Sequence, residues 1–378
     1  MARPDTAAGD RPRLTRPARD TRLDIVRGWL QISIFGAHAV GSAFGAWGIH
    51  AAWGLSDSSE QFLFLSGFVL GSVHTLKERR DGAGAAGRDI WQRAGRLWLT
   101  HLVLFCMFGA MILWAEMALP LPGEVDRLAW RTLADAPWAA LPGAALLVYL
   151  PNYIDILPVF ILAMLALPGF LWLAGRLGAV ALLVPGLLWA GVQAGLWHYW
   201  SWLPTGLDPL AWQFVFMLGA WFGRQALLRG AAMERRGWGI ALAFAILGLG
   251  LFQRVAEHVA GGFALDAELA WVLAGKTHLG PLALAHGLAL AYLVAVLVPR
   301  EAAWMRAAPA QALTAVGRHS LNVFCVGLFL SWGVTAAFRL APGVWWVDPV
   351  LTLGGIAVLV ACGLAMERRR LAPAPARP

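Results

Sequence analysis

Residues 21–38 read TRLDIVRGWLQISIFGAH, a run that sets an acid, a guanidinium, an amide and an imidazole on one side of a helix. At about 100° per residue, Asp24, Arg27, Gln31 and His38 fall along a single stripe, with about three turns between Arg27 and His38. The run is apolar enough to lie in a bilayer, where an ionisable group costs about 2.5–3.5 kcal/mol by insertion scales and usually has a function. A neutral imidazole at His38 could take a proton from an attacking hydroxyl, a contribution of about 10²–10⁴-fold. A packing histidine is the plain alternative. Arg27 either stabilises an anionic substrate group or pairs with Asp24 at the start of the helix.

Other groups could join this stripe. Asp57 and Glu60 open a second helix, where carboxylates suit the helix dipole and could also orient His38 or bind a substrate. Ser66-Gly67-Phe68 further along that helix reads first as a close-packing device. Arg88, Arg93 and Arg96 form a basic segment that could grip phosphates bidentately, with lipid anchoring as the ordinary explanation. His101 lies five residues past Arg96 and about half a turn off its face. Asn152, Tyr153 and Asp155 precede a fourth helix, and Lys276, Thr277 and His278 precede an eighth. Together with Trp197, Tyr199, Trp200 and Trp202 they suit a carbohydrate, although tryptophan belts are general in membrane proteins. His286, His319, Ser320 and Asn322 either line a tunnel or bond neighbouring helices.

The elements that must carry these groups are membrane spans. Of 378 residues, 59% are hydrophobic and 14% charged, with mean hydropathy +0.62; a soluble chain cannot hide that much apolar surface. The formal charge of +8 rests almost wholly on arginine, and basic residues that punctuate apolar runs point to anionic lipid rather than nucleic acid. About ten segments are long enough to span: 24–46, 60–77, 94–116, 147–173, 178–199, 208–228, 237–258, 279–299, 316–338 and 344–366. The loop 117–146 is expected to hold a short interfacial helix. With the amino terminus inside, all but five of the 30 Lys and Arg fall on the cytoplasmic side, the exceptions being Arg127, Arg131, Arg254, Lys276 and Arg339. The positive-inside rule therefore puts both termini in the cytoplasm. The expected organisation is a disordered basic tail over 1–20, one all-α transmembrane domain over 21–370 and a short cytoplasmic tail over 371–378. Cys106, Cys325 and Cys362 lie in apolar segments without metal spacing. No two histidines stand at i, i+3 or i, i+4 beside carboxylates, so no metal site is expected.

Several segments together carry a family likeness: RDTRLDIVRGW (19–29) continuing to His38, SDSSEQFLFLSGFVLG (56–71), RAGRLWLTH (93–101), NYIDILPVFI (152–161), DPLAWQFVF (208–216), KTHLGPLALAH (276–286) and GRHSLNVFC (317–325). In this order the chain resembles the OpgC family, within the acyltransferase-3 superfamily of membrane O-acyltransferases. The superfamily's Arg-x10-His pattern falls on Arg27 and His38, its acidic-to-SGF pattern on Glu60 and Ser66-Gly67-Phe68, and its Arg-x-x-Arg pattern on Arg93 and Arg96. The resemblance implies transfer of a succinyl group from succinyl-CoA, a substrate rather than a resident cofactor, to glucose hydroxyls of osmoregulated periplasmic glucans at the bacterial inner membrane. Taken with the residue reading above, the candidates are His38, Glu60 and Asp24 as catalytic, Arg27, Arg88, Arg93, Arg96 and Ser66 toward the donor, and Asp57, Asn152, Tyr153, Asp155, Lys276 and His278 toward the acceptor. His101, His286 and His319 rank second. The partners are acyl-CoA, glucan and lipid, without nucleic acid; a homo-oligomer is left open. Acetyl transfer, a proton-coupled transporter relaying through Asp24, His38 and Glu60, and a purely structural partner are the rival readings. Spacing separates neither succinyl from acetyl nor direct transfer from an acyl-histidine intermediate.

Overall fold

The computed structural model describes residues 19–260 and 267–372. Expectations for 1–18 and 373–378, most of both tails, lie outside the described residues. Within them the chain is all-helical: α1 (Thr21–His38), α2 (Ser58–Asp81), α3 (Ala83–Ala118), α4 (Glu124–Arg127), α5 (Arg131–Asp135), α6 (Pro137–Ala145), α7 (Ile156–Leu177), α8 (Leu183–Gln193), α9 (Pro209–Arg229), α10 (Gly237–Ala260), α11 (Ala267–Ala274), α12 (Pro281–Leu297), α13 (Ala308–Arg318), α14 (Ser320–Leu340) and α15 (Val347–Leu371). Five stretches are long and apolar enough to cross a membrane: Ala83–Ala118, Ile156–Gln193, Gly237–His258, Ser320–Leu340 and Val347–Leu371.

Each expected span coincides with a helix, but the ends move for local reasons. The first stops at His38 rather than 46, because the chain reverses through Gly41 at φ 100°, a conformation that favours glycine. The fourth begins at Ile156, and residues 147–155 are a buried turn with Leu147 and Tyr153 at positive φ. The fifth is broken by Gly178 at φ 62° into a tight turn and the 11-residue α8. At the end of α8, Gln193 Nε2 donates to the His278 carbonyl at 2.5 Å. The 117–146 loop holds three short helices instead of one.

Small residues set the tightest contacts. Gly67 and Gly71 of α2 face Gly219 and Gly223 of α9, and a Cβ at any of the four would meet the partner's backbone. Two such small-xxx-small stripes let the helices approach closely where lipid provides no hydrophobic drive. Gly28 of α1 and Gly317 of α13 do the same for that pair. Around this frame α3, α7 and α9 close a core with Phe105, Phe108, Trp130, Tyr149, Trp212 and Phe216 fully enclosed.

The bundle has two faces. At one, Arg19 and Asp24 beside α1 meet Arg318 and, through it, Glu367 near the end of α15. Both ends of the described chain therefore lie at the same face, which requires an even number of traverses. At the other face α1 ends, and α2, α7, α9 and α12 begin. Asp57, Asp155 and Asp208 precede the first three of these helices, where their charge complements the helix dipoles.

Candidate active site

His38 is the last residue of α1, and its neighbours fix it. Its Nδ1 lies 2.8 Å from the Ile34 carbonyl. A carbonyl can only accept, so Nδ1 carries the proton and Nε2 keeps the lone pair. The His38 carbonyl accepts from Tyr153 Oη at 3.0 Å and Thr335 Oγ1 at 3.1 Å, while Thr335 Oγ1 accepts from the Val40 amide at 2.9 Å. Tyr153 also lays its ring 5.3 Å from the imidazole and 5.2 Å from Phe108. It does so at φ 81°, a strained geometry for a non-glycine residue that costs of order 1–3 kcal/mol and recurs at functional sites.

Three charges act on this imidazole: Lys276, Asp155 and Asp57. Asp57 caps α2 by accepting from the Ser59 amide at 2.5 Å, and Glu60 reciprocates by accepting from the Asp57 amide at 2.9 Å. This is a complete capping box. Lys276 pairs with the Asp57 carboxylate. Burial is the largest single influence and would raise Asp57, but the Lys276 charge together with hydrogen bonds from Lys276, Glu60 and the Ser59 amide outweighs it and holds the carboxyl well below its usual range. The same pairing raises Lys276 above the usual lysine range. Asp155 has only distant cations, and burial pushes it up. His38, Asp57, Glu60, Tyr153, Asp155 and Lys276, far apart in sequence, are thus one group.

A cavity of about 590 Å³ opens at the face holding the chain ends. Its mouth is polar (Asp20, Arg22, Arg300), its shaft apolar (Val26, Trp29, Leu30, Phe64, Leu65, Phe68), and its inner end polar again, with His50 and Gln61. From Arg22 to Leu30 the shaft runs roughly 12 Å at about 1.5 Å per residue. Its end at Gln61 lies one turn of α2 from Asp57. Arg22 is held at the mouth by the Asp20 carboxylate at 2.7 Å and the Val298 carbonyl at 2.6 Å.

The remaining candidates lie elsewhere. Asp24 does not join His38: Arg19 Nε holds it at 2.6 Å and Arg318 Nε at 3.2 Å. His319, expected either to line a tunnel or to bond a neighbouring helix, does the latter: it approaches Glu367 at 3.2 Å, a carboxylate that also binds Arg318 at 2.6 Å and Arg370 at 2.7 Å. Arg27 makes no ion pair with Asp24. Its guanidinium donates to the Leu65 carbonyl at 3.1 Å, and its Nε is buried without a partner. Arg88, Arg93 and Arg96 are off the cavity: Arg93 pairs with Asp89 at 2.9 Å, and Arg88 lines a separate cleft with His74, Trp91 and Trp172. Ser66 is half-buried outside the cavity wall. Asn152 is exposed and bonds the Arg127 carbonyl at 3.4 Å. His278 leans on Trp271 and the Val272 carbonyl. His101 is enclosed where α3 meets α6. His286 bonds Ser56 at 2.8 Å.

Sequence reasoning missed Arg22, His50, Gln61 and Arg300. A signal existed for the first: Arg22, Val26 and Trp29 repeat at i, i+4, i+7 and line one wall. It also missed Glu124, fully enclosed and met by Arg127 at 2.7 Å, Trp332 Nε1 at 3.1 Å and Arg339.

A helical bundle with multiple membrane-length apolar helices, holding a histidine–carboxylate group at one face and a basic-mouthed cavity at the other, defines an integral membrane protein with a buried titratable site. A protein-family model described as the OpgC protein matches residues 19–371, and the chain belongs to that family. Membership implies acyltransferase activity at the level of the family. No curated protein and no solved structure matches the chain.

Proposed function

We propose that this protein is a ten-crossing O-acyltransferase of the bacterial inner membrane, with both termini cytoplasmic, that moves a succinyl group from cytoplasmic succinyl-CoA to glucose hydroxyls of periplasmic glucans. The observation that carries the reading is the imidazole of His38, whose Nδ1 is committed to the Ile34 carbonyl so that Nε2 is left as a base. The donor arm enters the cavity past Arg22 and Arg300, whose guanidinium groups suit its phosphates. Its thioester comes to rest at the inner end, one turn of α2 from Asp57.

The glucan arrives at the opposite face, where Asp57–Lys276, Asp155 and the exposed rings of Trp200 and Trp202 offer hydrogen bonds and stacking faces. His38 Nε2 takes the proton from a glucose hydroxyl as its oxygen attacks the thioester carbon. The tetrahedral intermediate collapses with expulsion of the CoA thiolate, which recovers the proton from the imidazolium. One ester forms, one thioester breaks, and the histidine is regenerated. Arg27, free of Asp24, supplies positive potential beside the shaft.

Purified protein given succinyl-CoA and glucan should release free CoA, and His38→Ala should abolish release without loss of the folded state. Wild-type turnover in that variant would remove His38 from the mechanism. Dissipation of a solute gradient with no donor consumed would favour a transporter.

A further inference from the structure

The inner end of the cavity has polar atoms that nothing among the described residues satisfies. Gln61 is 4% exposed, lines the cavity, and leaves Oε1 without a partner. Its other amide atom is committed: Nε2 donates to Ser56 Oγ at 3.0 Å, and Ser56 Oγ in turn lies 2.8 Å from His286 Nδ1. That chain fixes the amide so that Oε1 is the atom left over. His50 lines the same end, and both its ring nitrogens are buried without hydrogen bonds. An acceptor and an imidazole left bare in an otherwise apolar shaft each carry an uncompensated desolvation penalty. A hydrocarbon chain would leave those penalties in place. A ligand whose buried end carries both an N–H and a carbonyl would remove them.

We propose that His50 and Gln61 form the seat for the thioester end of the donor, an inference that rests on the transferase reading above. The His50 ring N–H donates to the thioester carbonyl, polarising the carbon that is attacked. Gln61 Oε1 accepts from the amide N–H of the thiol-bearing arm. Ser56 and His286 are positioning residues that hold the Gln61 amide in the required orientation. The polarity of the cavity matches such a ligand along its length: guanidinium groups at the mouth for phosphates, an apolar shaft for the arm, and a polar terminus for the ester.

The two contacts predict different signatures, because free CoA keeps the amide and lacks the thioester carbonyl. In the detergent-purified full chain, binding of succinyl-CoA and of CoA is measured by calorimetry for the wild type, His50→Ala, His50→Asn and Gln61→Leu. Wild type should bind succinyl-CoA the more tightly. His50→Ala should weaken succinyl-CoA about tenfold and leave CoA within twofold, erasing the preference, and His50→Asn, which keeps an N–H, should restore part of it. Gln61→Leu should weaken both ligands alike. If His50→Ala weakens both equally, or neither, in a protein with a wild-type melting curve, the seat is overturned while the transferase reading stands. If wild type binds neither ligand, or if bound phospholipid fills the cavity and blocks both, the transferase reading itself falls.

Discussion

Two charged groups sit at opposite ends of α1, and they differ in how completely they are satisfied. At the start of the helix, Asp24 is held by Arg19 and Arg318, and Glu367 by Arg318, His319 and Arg370. Each of these two carboxylates has two or more cationic partners, and the set ties the first helix to the last. At the far end, His38 keeps a free Nε2, Asp155 has no cation in contact, and Lys276 is half exposed. Both ends hold a histidine and acids on helix termini. Saturation separates a clamp from a site, and the amino-acid types do not.

The largest expected effect is at the unsaturated end. His38→Ala should lower CoA release by at least about 10²-fold, the scale of a lost general base, with an unchanged melting temperature. Next come the cavity-mouth arginines. Arg22→Ala and Arg300→Ala should each raise KM for the donor about tenfold, as loss of a charge-assisted contact does. Arg96→Ala, off the cavity, should change KM less than twofold. Equal effects would erase the distinction between mouth and flank.

At the saturated end the effect should be on stability. Asp24→Asn or Glu367→Gln should cost about 2 kcal/mol, within the range for hydrogen bonds to charged groups, and leave kcat within twofold. A collapse of kcat with wild-type stability would put Asp24 back into the chemistry. The smallest effect concerns the Asp57–Lys276 pair. Asp57 lies below its ordinary value of 3.8, so its contribution is complete above that value and is lost only in stronger acid. Lys276 lies above its ordinary 10.5, so its contribution is complete below that pH and is lost only in stronger base. Between these limits the pair should add no slope to stability. Lys276→Met leaves Asp57 to burial, which raises its pKa. The variant should be destabilised by about 1 kcal/mol at pH 7, with the deficit shrinking as the pH falls and Asp57 protonates. A deficit that is constant with pH would dissociate the two groups.

Much of this was legible in the residues. Hydropathy located the helices because that signal is local, but the expected span 24–46 put His38 within the first helix, whereas it is that helix's last residue. The stripe argument placed Asp24 in the same group as His38 because both point the same way, although their spacing sets them about 20 Å apart at ~1.5 Å per residue. For His319 the interhelical alternative is the one observed, although its partner Glu367, 48 residues away, is signalled by no pattern within α14. The donor-side arginines were sought in the densest basic segment, Arg88 to Arg96, whereas the cavity mouth uses Arg22 and Arg300 from two ends of the chain. Helix ends shifted where single glycines, Gly41 and Gly178, reverse the backbone.

The most direct test is sidedness. Proteoliposomes carrying succinyl-CoA only in the lumen that matches the cytoplasm, and glucan only outside, should yield succinylated glucan with the wild type and none with His38→Ala. Product formed only when donor and glucan share one compartment, or formed equally by the His38 variant, would contradict transfer across the membrane through His38.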